Sequence, residues 1–99
     1  MRMFEVINKK RLNEQVVQMD IKAPLIAAKA KPGQFIILGV NEGGERIPLT
    51  INDANTTAGT VRVIFQIVGK TTRLLNELEV GDFIFDFVGP LGRPSELDG

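Results

Sequence analysis

Three short segments of this 99-residue chain carry the residue types from which a ligand site is built. Arg46-Ile47-Pro48-Leu49-Thr50-Ile51 places a cation, then a proline inside an apolar run, then a hydroxyl. Proline cannot donate to a β ladder, so it belongs at an edge or a bulge, where neighbouring backbone groups are free to meet a ligand. Thr50 then offers a hydroxyl and a backbone N–H to a flat heteroaromatic ring. Read alone, the same residues make an ordinary edge strand with a surface arginine. Val68-Gly69-Lys70-Thr71-Thr72 joins the most β-branched run to the one segment with a helical pattern. A glycine turn into a helix N-terminus exposes unpaired N–H groups and a positive dipole end, which suits a phosphate or pyrophosphate. Lys70 adds a mobile positive charge. The plain alternative is a threonine cap after a glycine turn. It is not a P-loop, because Gly-Lys-Thr at 69 to 71 needs a glycine at 64, where Ile64 stands. Gly89-Pro90-Leu91-Gly92-Arg93-Pro94 holds its backbone stiffly with two glycines and two prolines; its plain alternative is a rigid linker.

Composition narrows the chemistry further. With no cysteine the chain forms no disulfide, Zn–thiolate site or iron–sulfur cluster of its own, and with no histidine it lacks the commonest general base. Reactive chemistry must therefore come from a bound cofactor. Twelve basic and twelve acidic residues cancel, so the field that draws proteins to nucleic acid is missing. The acidic residues are scattered through turns, and no carboxylate pair is placed for hydrolysis. No apolar run approaches the ~20 residues that span a bilayer, and Met1 to Lys10 lacks the apolar centre of a signal peptide. A soluble cytoplasmic protein with no nucleic-acid or membrane partner is the expectation.

The elements that must position these segments are strands. Alternating apolar residues predict strands over Met3 to Lys9 and Asn13 to Ala23, and Pro24 takes the chain out of the sheet until Lys31. Lys31-Pro32-Gly33-Gln34 has the chemistry of a type II turn. Strands follow over Phe35 to Val40, Ile47 to Asn52 and Thr60 to Val68, with the polar cluster Asp53 to Gly59 turning the chain. Leu74, Leu75 and Leu78 share a face, which predicts a short helix over Thr71 to Leu78 capped by Thr71 or Thr72 and packed across a barrel mouth. The last strand, Phe83 to Val88, puts Phe83, Phe85 and Phe87 on one side, as a core face. Six short strands and one helix predict an all-β, six-stranded antiparallel Greek-key barrel, closed to remove its edges. Residues 1 to 88 form that domain; 89 to 99 read as a linker. No Gly-x-Gly-x-x-Gly fingerprint follows any strand, so no Rossmann unit is present.

The order of these segments is more telling than any one of them. Pro32-Gly33-Gln34-Phe35, then Arg46 to Ile51, then Val68 to Thr72 opening a helix, then Gly89-Pro90-Leu91-Gly92, resembles the flavin domain of the ferredoxin–NADP reductase superfamily over nearly the whole chain. The resemblance is nearest to the subgroup that holds the electron-transfer subunit of dihydroorotate dehydrogenase B and the alpha subunit of NADH-dependent ferredoxin–NADP oxidoreductase, the sulfide dehydrogenase type. Gly44 to Thr50 and Gly92 to Glu96 favour the latter. The resemblance implies FAD held by Pro48, Leu49 and Thr50, with Thr50 at the motif's hydroxyl near the isoalloxazine. Ile47 stands in the slot of the family's usual arginine, and Arg46, one residue earlier, is carried with the set. The second flavin segment maps to Ile64, Phe65 and Gln66, and the phosphate turn to Gly69, Thr71 and Thr72. Thr71 stands where glycine is common in the dihydroorotate subgroup.

It further implies a following NAD(P)-binding domain that delivers hydride to the flavin, and a cysteine-ligated [2Fe–2S] cluster, neither within this chain. A catalytic partner subunit or a ferredoxin would exchange the electrons. Residues 89 to 99 then lead toward the nicotinamide domain, the fragment alone is inactive as a reductase, and its uncovered apolar edge predicts self-association. The alternative from another class is a non-catalytic barrel that binds proteins through its glycine-rich turns.

Overall fold

The computed structural model describes residues 4 to 93; the start of the first expected strand at Met3 and the linker beyond Arg93 lie outside it. The elements in order are β1 (Phe4–Arg11), β2 (Val16–Lys22), α1 (Pro24–Lys29), β3 (Phe35–Gly39), β4 (Arg46–Asn55), β5 (Thr60–Gln66), α2 (Lys70–Glu77), β6 (Phe83–Ile84) and β7 (Asp86–Leu91).

Every strand pair is antiparallel, and the spatial order is β6-β1-β2-β5-β4-β3-β7. β2 and β3 follow each other in sequence but are separated by β5 and β4, which is the Greek-key jump, and α1 lies in that connection. The two outermost strands, β6 and β7, are separated only by Phe85, whose N–H donates to the Val40 carbonyl at 3.3 Å. One interrupted segment therefore joins β1 with its first part and β3 with its second, closing a partly open barrel. The sixth expected strand thus counts as two.

Alternation sets the core. Val61, Val63 and Phe65 of β5 point inward against Val17, Met19 and Ile21 of β2, with which they are in register. Ile36, Leu38 and Ile84 complete the interior, and Leu75 of α2, fully buried, brings that helix across one end. Cutting Met19, Ile21, Ile36, Leu38, Leu75 or Ile84 to alanine costs about 2 to 5 kcal/mol.

The structure corrects four expectations. The phenyl rings of Phe83, Phe85 and Phe87 do not share a core face: Phe83 is exposed, and the inward residues are Ile84 and Phe87. Alternation holds only while a strand stays in one ladder, and the change of partner at Phe85 resets it. Pro24 to Lys29 forms a second helix, with Pro24 at its first position, where the missing N–H costs nothing, and with Ile26 and Ala27 buried. β4 runs on to Asn55 through an irregularity between Ile51 and Asp53, so the turn is confined to residues 56 to 59. Finally, Gly89 to Leu91 belong to β7, and beyond an irregularity in the ladder Leu91 pairs with Phe35 of β3. Two glycines permit this: a Cβ at Gly89 would lie 2.8 Å from Ile36 Cγ2, and one at Gly92 would lie 2.8 Å from the Phe35 ring.

Candidate functional site

β4 is shared between two partners. Its first half pairs with β3, where Gly39 faces Arg46, Ile37 faces Pro48 and Phe35 faces Thr50. Its second half pairs with β5, starting at Ile51 opposite Val63. Toward Arg46 from that point the two strands part, leaving a split between Arg46 to Thr50 on one side and Ile64 to Gln66 on the other. Because β4 and β5 run antiparallel, the start of one and the end of the other lie at the same end of the barrel. Three residues after Gln66 the chain reaches Gly69 and the first turn of α2.

Backbone direction supplies the polar groups. The Ile51 N–H donates to the Gln34 carbonyl at 2.8 Å, across to the β3 side. Hydrogen-bonding groups alternate in direction along an antiparallel strand, so the N–H of Thr50 points the other way, toward the split. Pro48 has no N–H to leave unsatisfied there. At the helix, the Thr72 hydroxyl accepts from the N–H groups of Val68 at 2.9 Å and Gly69 at 3.0 Å, and donates to the Gly69 carbonyl at 3.1 Å. The N-cap is therefore Gly69, and Thr72 holds the turn from within, in place of the expected threonine cap. This leaves the N–H groups of Lys70, Thr71 and Thr72 with no acceptor among the described residues. They and the helix dipole suit an anion.

The side chains sort by face. Pro48, Thr50 and Gln66 are exposed and Ile64 half-buried, on the outer side. Leu49 packs against the core and Phe65 is buried within it, so these two offer a ligand only backbone. Thr71 and Thr72 are buried; Lys70 is exposed and makes no hydrogen bond or ion pair among the described residues. Arg46 stands at the mouth of the split with its guanidinium turned onto the protein. It donates through Nε to Asp86 Oδ2 at 3.2 Å and through Nη1 to the carbonyls of Asn41 at 3.2 Å and Gly44 at 2.6 Å.

Gln34, the last residue of the expected Lys31-Pro32-Gly33-Gln34 turn, stands at a junction. Its carbonyl holds Ile51, its Oε1 accepts from the Lys31 N–H at 2.9 Å, and its Nε2 donates to the Gly92 carbonyl at 2.9 Å. The third glycine-proline segment is thereby fastened beside Thr50, since Leu91 and Thr50 flank Phe35 on its two sides. A glutamine directly after a Pro-Gly turn was the only signal.

Two cavities lie elsewhere. One of about 530 Å³ is apolar and opens between β1, α1 and β7, lined by Phe4, Pro24, Leu25, Ile26, Phe87 and Val88 among others. A second of about 240 Å³ is polar and surrounds Asp20, Asp53 and Arg62. Neither shares a residue with the split. Among the described residues no cluster of acidic side chains is arranged to hold a metal ion, and no helix is long and apolar enough to cross a membrane.

No family model matches the chain. It is 53% identical over 95 residues to an uncharacterised protein in the adh 3′ region of Clostridium beijerinckii, covering 96% of this chain and 32% of that protein. It is 43% identical over 94 residues to a homologue of the electron transfer subunit of dihydroorotate dehydrogenase B (NAD(+)) from Thermotoga maritima, covering 95% and 33%. A solved structure of NADH-dependent reduced ferredoxin–NADP oxidoreductase, a study of flavin-based electron bifurcation, superposes with a TM-score of 0.92 at 42% identity, covering 97% of this chain and 35% of that one. The chain thus spans about a third of the length of the relatives it matches. Its fold is that of the flavin-domain barrel of ferredoxin–NADP reductase-like proteins. Its sequence similarity runs to the electron-transfer subunit homologue and the ferredoxin–NADP oxidoreductase just described.

Proposed function

We propose that this chain is the FAD-binding domain of an NAD(P)H-dependent flavoprotein oxidoreductase that passes electrons between a nicotinamide and an iron–sulfur partner. The observation that carries the proposal is the split itself: the Thr50 N–H and the N–H groups of Lys70, Thr71 and Thr72, without an acceptor among the described residues, lie at the same end of the barrel. A dinucleotide is long and has a flat end and a charged middle, and these two sets of donors match that order. Pro48 and Thr50, with the backbone at Leu49, would lie along the flavin ring; Ile64 and Gln66, with the backbone at Phe65, would form the facing side. The backbone N–H groups of Lys70, Thr71 and Thr72, on the turn that Gly69 opens and the Thr72 side chain braces, would receive the pyrophosphate.

Bound FAD supplies two-electron uptake as hydride and its release in single electrons, for which this chain has no residue of its own. The barrel's share is binding, orientation and exclusion of water from one face of the ring. The nicotinamide domain and the [2Fe–2S] cluster belong to the longer protein in this reading, and the fragment alone is inactive. A partner subunit, or a ferredoxin, takes or gives the single electrons, and the setting is the cytoplasm. The 43% identity to a dihydroorotate dehydrogenase B electron transfer subunit homologue favours a second reading, in which the partner is the dihydroorotate-oxidising subunit.

Titration of FAD into the chain, followed by flavin fluorescence, tests the proposal. The expected result is saturable quenching, weakened by Thr50→Val. No quenching by this chain, and none by the chain extended through the downstream gene sequence, overturns it.

A further inference from the structure

We infer that Arg46 is a positioning residue, a strap that fixes the open start of β4, and that it does not bind the phosphates of a bound dinucleotide. The inference deepens the flavin reading above and rests on it for its ligand. Arg46, Gly39 and Asp86 stand in one row across β4, β3 and β7. Side chains in such a row project from the same face of the sheet, so an ordinary residue at the middle position would separate the outer two. Gly39 has none: a Cβ there would strike the Arg46 guanidinium. The arginine lies across the middle strand and reaches Asp86 at 3.2 Å, with its Cζ 5.8 Å from the centroid of the Phe85 ring.

The donors are nearly used up. A guanidinium has five N–H groups. Nε goes to Asp86, Nη1 goes to the carbonyls of Asn41 and Gly44, and Nη2 lies 3.5 Å from the Glu42 carbonyl. An arginine that binds phosphate turns its paired donors to the ligand; here the pair closes on the connection between β3 and β4, and Asp86 matches the charge. The consequence is mechanical. The start of β4 has no ladder partner toward β5, and the strap holds it, and with it Pro48 and Thr50, to β3 and to the break in the last strand. Lys70 is the contrast: exposed, at the first position of α2, with no partner among the described residues.

Affinities for riboflavin and FAD separate the two roles, because only FAD carries phosphate. They are to be measured by flavin fluorescence on the wild-type chain, Arg46→Met, Asp86→Asn and Lys70→Met. Arg46→Met is expected to weaken riboflavin and FAD by the same factor, on the order of tenfold. Asp86→Asn should follow the same pattern to a smaller degree, and Lys70→Met should weaken FAD alone. An Arg46→Met chain that loses FAD affinity and keeps its riboflavin affinity overturns the inference. Amide exchange of residues 40 to 50 supplies a readout independent of flavin: it should quicken in both Arg46→Met and Asp86→Asn, and unchanged exchange in both removes the strap. Quickened exchange in a chain that binds no flavin would sink the flavin reading and leave the strap standing.

Discussion

Asp20 on β2 and Arg62 on β5 face each other in register, and two guanidinium nitrogens reach the carboxylate, Nε to Oδ1 at 2.8 Å and Nη2 to Oδ2 at 3.3 Å. Asn8 of β1 adds a third donor at 3.3 Å, so the pair ties three strands together outside the apolar core. The Asp20 side chain is only 10% exposed, whereas that of Arg62 is 37% exposed. The carboxylate therefore depends on its partner more than the reverse.

Arg62→Met leaves that carboxylate buried with only Asn8 to hold it, and is expected to lower the unfolding free energy by about 2 to 4 kcal/mol. Joining it with Asp20→Leu should restore most of the loss, since an apolar pair can replace a buried ion pair. Urea unfolding of the two variants decides this; a double variant as weak as the single one would speak against it.

The same pair fixes a pH expectation. The hydrogen bond from Arg62 to Asp20, then the attraction between their charges, pushes the guanidinium further above its already high ordinary value, and Asp53 adds to this. A folded-state value raised above the unfolded one gives stability that is complete below the unfolded value and is lost only as pH rises through the folded one. The difference in unfolding free energy between wild type and Arg62→Met should therefore stay level from neutral to mildly alkaline solution. A fall in that difference within this range would contradict the assignment.

Thr72→Val removes the acceptor that serves the N–H groups of Val68 and Gly69 while keeping the side-chain volume. The expected loss is about 1 to 2 kcal/mol of stability. FAD should also bind more weakly, because the turn that presents the free N–H groups is no longer braced. Thr72→Ser, which keeps the acceptor, should retain FAD affinity close to that of wild type, measured by the same titration.

Gly92→Ala and Gly43→Ala form a matched pair. Gly92 has φ of 81° and lies against the Phe35 ring, while a Cβ at Gly43 would meet nothing within 4 Å. Thermal unfolding should show Gly92→Ala destabilised by about 1 to 3 kcal/mol and Gly43→Ala within about 0.5 kcal/mol of wild type. Equal effects would mean that the start of β3 does not depend on the close approach of Gly92.

The barrel was legible because its signals are local. The β-branched run from Thr60 to Val68 states a strand, found over Thr60–Gln66, and Lys31-Pro32-Gly33-Gln34 states a turn, which Gly33 at φ of 91° and the Gln34 N–H donating to the Lys31 carbonyl at 3.2 Å bear out. What stayed hidden depends on partners distant in sequence. The three-phenyl face failed because Phe85 marks a change of ladder, which no residue type there announces. The helix at Pro24 was hidden because six residues are too few to show a helical period, although proline at the first position was in view. For the site, the two donor segments and their order could be read from residue types. The burial of Phe65, carried in the sequence as a flavin-segment residue, and the engagement of Arg46 were not legible; Gly39 and Asp86 reach Arg46 only through the register of three strands.

The central claim is that the flavin lies in the split between β4 and β5 with its phosphates at the first turn of α2. The most direct measurement is an amide chemical-shift map of the isotopically labelled chain during titration with FAD. The account predicts saturable shifts concentrated at Leu49 to Ile51, Ile64 to Gln66 and Gly69 to Thr72. Shifts concentrated instead around the apolar cavity, at Phe4, Ala23 to Ile26 and Phe87 to Gly89, would contradict it.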